Sequence, residues 1–307
     1  MTDEDDLPSK EIWLKSEGGF PAPDWNFLID WQENKSEQTK KRLAVSVVDD
    51  WVDALCERGG KGFEVISSRH FLVVSGRSPR ESDLLITSME RAVDRIANRL
   101  PGIARVRSIP KYVAILFGDH DAFLQYVSIF YPEEGDFGHP GGMFIPDGLG
   151  HFILPGDPIA SIESSITHEL THVLCGHLHL PSWIDEGLAQ AMECVAGLRR
   201  VRTFDREHID EHRAYWTEER LGDFWSGKSF KSIEGQHLSY SLAEFLLNAL
   251  PGEPELVVEF VTHASAEDAG HDAARSILGV ELERLIAPLV PTLADRFGES
   301  EADPPES

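Results

Sequence analysis

From about residue 41 the chain alternates between helical and extended periods. Val45, Val48, Val52 and Leu55 recur at three and four residues, a helical stripe ending before Gly59-Gly60. Residues 70–75, His-Phe-Leu-Val-Val-Ser, are short, apolar and β-branched, and Gly76 stops them, which predicts a strand. Leu85, Met89, Ala92, Val93, Ile96 and Leu100 trace one face of a second helix, closed by Pro101-Gly102. Residues 111–117 predict a second, largely buried strand, and Asp119 is placed to cap a helix over 122–130. Residues 132–150 read as loop, within which Gly141-Gly142-Met-Phe-Ile is expected to pair with residues 151–154 as a hairpin.

Beyond 158 the strand signal stops and helical periods follow one another over 158–176, 182–197, 237–250, 254–264, 268–278 and 281–297. Pro288 and Pro291 are expected to bend the last of these. Strands first and helices second is the α+β arrangement. It predicts N-terminal helices on a small mixed sheet (41–157), followed by a C-terminal helical lobe (158–297). Residues 1–40 are polar, with isolated Trp13, Trp25 and Trp31, and are expected to form an extension laid over the body by its aromatics. Residues 298–307 read as an acidic tail, and no internal repeat is found.

Charge narrows the partners. With 53 Asp and Glu against 28 Lys and Arg, the formal charge of the 307 residues is −25. A surface this acidic repels phosphate backbones and anionic membranes, so neither nucleic acid nor membrane is an expected partner. Three cysteines cannot build a disulfide framework. The first six residues carry four acids where a secretory signal would carry lysines and an apolar core. No apolar run approaches bilayer length. The expectation is a soluble, cytoplasmic protein.

The chemistry is concentrated in Ile166-Thr-His168-Glu169-Leu-Thr-His172-Val-Leu-Cys-Gly176. Two histidines four apart on a helix lie about 40° apart around its axis, so both imidazoles can reach one metal ion. Glu169 projects beside that face, where a carboxylate can take a proton from activated water. Ile162, Ile166, Leu170, Val173 and Leu174 predict a buried helix, with Gly176 as its C-cap. A catalytic zinc needs a third protein ligand and an open position. Glu186, 14 residues beyond His172, falls in the first turn of the next helix, where Ser182 and Asp185 look like a capping box. Gly187 and Ala189 beside it have little bulk, which is expected to let this helix approach the histidine helix.

His168-Glu-Leu-Thr-His172 followed by Pro181-Ser-Trp-Ile-Asp-Glu186-Gly187-Leu-Ala resembles the gluzincin metallopeptidases. It resembles in particular the bacterial peptidase MA-like families, whose second motif reads Pro-x-Trp-x-x-Glu-Gly-x-Ala. The specific match covers about residues 161–197, with a weaker likeness from about 69 to 250. The resemblance implies a zincin-like fold with the active-site helix between the two lobes. It implies one zinc ion held by His168, His172 and Glu186, Glu169 as general base and acid, and a peptide or protein substrate. Such peptidases set a Tyr or His donor against the oxyanion formed at the carbonyl. Tyr240 is the first candidate for that donor and His237 the second.

Other residues have plainer readings. Asp185 is a rival third ligand that the capping box would occupy otherwise. Glu193, seven residues after Glu186 on the same face, reads as a solvated carboxylate, or else as a group holding a ligating imidazole. His177, His179, Cys175, Cys56 and Cys194 are left outside the site. Residues 141–143 could offer a sheet edge to a substrate backbone. Three alternatives to a peptidase stay open: a non-catalytic zinc protein, a peptide-binding module, and a zinc hydrolase of other substrates.

Overall fold

The computed structural model describes residues 7–60, 62–131 and 141–298. The expected loop over 132–140 and the acidic tail past Gly298 lie outside the described residues. The architecture is α+β, as the order of strand and helix signals predicts. It divides into two compact units, one from residues up to Asp94 with Val106–Glu169, the other from Arg95–Arg105 with Leu170 onward. The expected boundary at 157/158 thus moves into a helix, and a short segment around residue 100 joins the second unit.

In the first unit, residues read as a polar extension form regular elements. Helix α1 (Lys10–Trp13) leads into an antiparallel hairpin, β1 (Leu14–Glu17) and β2 (Phe20–Pro23), and then helix α2 (Trp25–Gln32). Gly18 and Gly19, both at positive φ, supply the hairpin turn. Asp24 caps α2 by accepting from Phe27 N at 3.1 Å. Trp13, Phe20 and Leu28 are buried. A few burying aromatics among many polar residues leave average composition unchanged, so windowed polarity hides them.

Helix α3 (Glu37–Ala54) starts earlier than the apolar stripe, at a Ser36 cap that accepts from Thr39 N, and runs into a π-helical turn at Leu55–Gly59. The main sheet has the order β3 (Glu64–Ser67), β4 (Phe71–Ser75), β5 (Tyr112–Leu116), β7 (His151–Leu154), β6 (Met143–Ile145). The pairs β4–β5 and β5–β7 are parallel, whereas β3–β4 and β6–β7 are antiparallel. The sheet is therefore mixed, and the expected hairpin forms with Phe144 opposite Phe152.

Period-two alternation sorts its faces. Val74, Val113, Ile115, Ile153 and Ile145 pack with Phe20, Trp51, Phe117 and Tyr126. On the other face Ser75 receives a hydrogen bond from Ser82 of helix α4 (Pro79–Arg99) at 2.7 Å. A reciprocal pair of bonds between Ser78 and Glu81 starts α4. Helix α5 (His120–Phe130) begins at the expected Asp119 cap, 2.8 Å from Ala122 N.

Helix α6 (Ile159–Cys175) carries the two motif histidines, and the unit division falls within it, after Glu169. The second unit continues with α7 (Ser182–Val195), α8 (Arg206–Tyr215), α9 (Glu218–Trp225), α10 (Gln236–Ala249) and α11 (Pro254–His263). A short α12 (His271–Ala273) runs into a π-helical turn to Leu278. The expected helix over 281–297 is broken into α13 (Leu282–Ile286), a 3₁₀ turn at Ala287–Leu289 and α14 (Pro291–Gly298). The two prolines, which lack an N–H to donate, interrupt the ladder instead of merely bending it. Helices α8 and α9 have no counterpart among the predicted periods. Their signals are the caps Asp205 and Thr217, accepting from His208 N and Arg220 N, each followed by acids in the first turn. Trp183, Phe224, Leu242, Leu246 and Phe260 centre the core of this unit. No helix of the described residues is long and apolar enough to cross a membrane.

Candidate metal centre

His168, Glu169 and His172 project from α6, whose Ile162, Ile166, Leu170 and Leu174 are buried. On an ideal helix Glu169 stands about 100° round from His168 and about 60° from His172. The helix does not end on a left-handed Gly176. It tightens into a 3₁₀ turn over Gly176–Leu178, and His179 takes the left-handed conformation at φ 51°. A histidine there is tolerated at modest cost, and the chain then reverses into α7.

Helix α7 corrects two expectations. Its N-cap position is Pro181, with no side-chain capping bond, so Ser182 and Asp185 do not form a capping box. Asp185 turns to α6 instead, with Oδ2 2.9 Å from His172 Nδ1. Gly187 faces not the histidine helix but α10. A Cβ at residue 187 would come within 3.2 Å of Ala243 O and 3.4 Å of Leu247 Cβ.

The turn of α7 that carries Asp185 also brings Glu186 to α6. Glu186 Oε2 lies 3.5 Å from His172 Nε2. One ligand atom each from His168, His172 and Glu186 falls within 4.8 Å of the others, and all three residues are half-buried. Two ligands bound tetrahedrally to one zinc at about 2.0–2.1 Å stand roughly 3.4 Å apart, which the His172–Glu186 separation matches. Two imidazoles and a carboxylate are also the donor set that suits zinc. His172 thus has a carboxylate near each ring nitrogen, Glu186 at Nε2 and Asp185 at Nδ1. Burial opposes a charge on His172, but the Asp185 and Glu186 carboxylates outweigh it and raise its pKa well above the ordinary histidine value. The same negative field that attracts a proton attracts a divalent cation.

The remaining candidates separate. Tyr240 sits in the first half of α10, its ring 5.5 Å from Phe230, and its carbonyl accepts from Gln190 Nε2 of α7 at 2.9 Å. His237 is exposed, with Nε2 3.0 Å from Glu211. Glu193 is buried instead of solvated, 3.7 Å from Arg199 Nε, and Arg199 also bonds Glu244 of α10. Burial raises the Cys175 thiol to about 12, as suits a small apolar residue, and also raises the thiols of Cys56 and Cys194. Gly141 brings the β6–β7 hairpin against α6, because a Cβ there would collide with Ser165 Oγ, three residues before His168.

Asp185 is the site residue whose place the sequence reading missed. Its signal was the carboxylate pair Asp185-Glu186, two acids in the one turn that faces α6. No protein-family model matches the chain, and no curated protein matches it significantly.

Proposed function

We propose that the chain is a zinc-dependent metallopeptidase of the gluzincin type, with its α+β fold zincin-like. The observation that carries this reading is His172, which meets Glu186 through Nε2 and Asp185 through Nδ1 while His168 stands one turn before it. His168, His172 and Glu186 would hold one zinc ion. Such an ion would supply Lewis acidity toward a peptide carbonyl and a water. Glu169 accepts the proton of the attacking water and passes it to the departing amine. The Tyr240 hydroxyl is assigned to the oxyanion. His172 and Glu186 keep 22% and 18% of their side-chain exposure, unlike the sealed, four-ligand set of a structural zinc. The outer edge of β6, next to α6 at Gly141, is the proposed place for an extended substrate backbone.

The test is incubation with an unbiased peptide library, with and without a chelator. Cleavage that a chelator abolishes and zinc restores is expected. Absence of any chelator-sensitive cleavage, with metal bound, would favour a non-catalytic zinc protein or a hydrolase of other substrates.

A further inference from the structure

The first turn of α7 has an unusual burden. It presents both Asp185 and Glu186 to His172, yet it starts at Pro181 without a side-chain cap. Uncapped first turns have unsatisfied N–H groups and fray readily. What holds this one lies on the side chain before the two acids. Trp183 is fully buried, and its indole Nε1 donates to the carbonyl of Ala269 at 2.9 Å. Its ring packs 6.2 Å from Phe260 and 6.4 Å from Trp225.

The acceptor is held with equal care. Ala269 has φ 56°, left-handed backbone that a residue with a Cβ adopts at a cost, and Gly270 follows at φ 83°. Asp268 clamps the turn by accepting from Gly270 N at 3.0 Å and from Asp272 N at 2.6 Å, and Gly270 N also reaches Ser265 O. The turn lies against α7 directly, since a Cβ on Gly270 would touch Ile184 at 3.5 Å. On another side of α7, Gly187 lets α10 approach to backbone contact. Indole can only donate, so loss of this N–H would leave a buried carbonyl without its partner.

We propose that Trp183 is a positioning residue for the metal centre: its bond to the left-handed turn at Ala269 fixes the α7 turn that carries Asp185 and Glu186. This inference rests on the metal-site reading above but not on hydrolysis. Trp183 reaches the ion only through Glu186 and Asp185, so its signature is metal geometry and affinity beyond its share of stability.

The experiment compares Trp183→Phe with Phe260→Leu in the full chain, using cobalt(II) as the probe. Trp183→Phe removes the N–H and keeps an aromatic ring; Phe260→Leu loosens the same core and leaves the N–H in place. Melting of the metal-free proteins, cobalt affinity and the visible cobalt spectrum are recorded for both. Both variants should melt earlier, but only Trp183→Phe should weaken cobalt binding, by roughly tenfold, and shift the spectrum, as loss of an orienting contact does. Equal cobalt affinities in the two variants at matched melting loss would overturn the proposal. A wild-type chain that takes up no cobalt would overturn the metal-site reading and this inference with it. Wild-type binding with an unaltered Trp183→Phe affinity would overturn this inference alone.

Discussion

Asp185 Oδ2 lies 2.9 Å from His172 Nδ1, on the opposite side of the imidazole from Glu186. The contact places a carboxylate beside Nδ1 and leaves Nε2 to face Glu186. It also separates two roles for Asp185, as a helix cap and as an outer partner of a ligand. Asp185→Asn should weaken zinc affinity by about 10- to 100-fold and leave the helix content near that of the parent. Chelator competition and circular dichroism measure the two quantities. Lost helix with unchanged affinity would restore the capping role.

Glu169 shares a helix with both histidines but falls outside the three-donor group. Glu169→Gln keeps the shape and removes the capacity to accept a proton. It should retain bound zinc and lose about 10²- to 10⁴-fold in peptide hydrolysis. Metal analysis and turnover of a library-derived substrate check this together. Full activity in the variant would remove Glu169 from the mechanism.

The elements were legible in the sequence wherever one period dominated. The strands at 71–75 and 112–116, the hairpin and the motif helix all follow from apolar spacing and turn residues. Helices α8 and α9 were not legible, because both are short: α8 is mostly polar, and the apolar positions of α9, Leu221, Phe224 and Trp225, span little more than one turn. The candidate donor group was legible because helix geometry fixes what two histidines four apart can share. Which neighbour each flanking side chain meets is a tertiary fact. Asp185 looked like a cap and turned to His172, and Gly187 looked like room for α6 and made room for α10.

Gly187 turns that difference into a prediction. A methyl group at 187 would sit 3.2 Å from Ala243 O and 3.4 Å from Leu247 Cβ, so α7 and α10 would have to part slightly. Gly187→Ala gains helix propensity worth about 1 kcal/mol but overpacks the contact, at about 1–3 kcal/mol. A net loss of stability by urea unfolding is expected. Stabilisation by Gly187→Ala alone would mean that the helices are not in close register here.

The N-terminal segment bears on control of activity. An extension covering the site would raise activity when removed. Here Trp13 and Leu28 pack with Leu43 and Val47, and Phe20 joins the core over the sheet. Burial of three such side chains is worth about 1.5–3 kcal/mol each, comparable to the whole stability of an ordinary domain. Deletion of residues 1–32 should therefore yield insoluble or unfolded protein. A soluble, folded and more active truncation would show instead that the segment covers the site.

Two buried histidines contribute to the response to acid. His151 donates to or accepts from Tyr126 at 2.8 Å, its ring 5.0 Å from Trp51, and burial lowers its pKa to about 3. His212 accepts the Trp216 indole N–H on Nδ1 at 2.9 Å, which leaves Nε2 to donate to Ser241, and burial lowers its pKa to about 4. Both are neutral when folded, while the unfolded chain protonates near the ordinary value of 6.5. Between the two values the unfolded state binds more protons, so stability rises with pH and is fully present above about 6.5. Each histidine should cost about 1.4 kcal/mol per pH unit as the pH falls below that point, or about 2 kcal/mol by pH 5. Replacing His151 with Phe should lower stability at pH 7, because Tyr126 loses its partner, and should also flatten the decline between pH 6.5 and 5. Urea unfolding of parent and variant at several pH values measures both effects. Parallel declines in the two proteins would show that His151 is not held neutral in the fold.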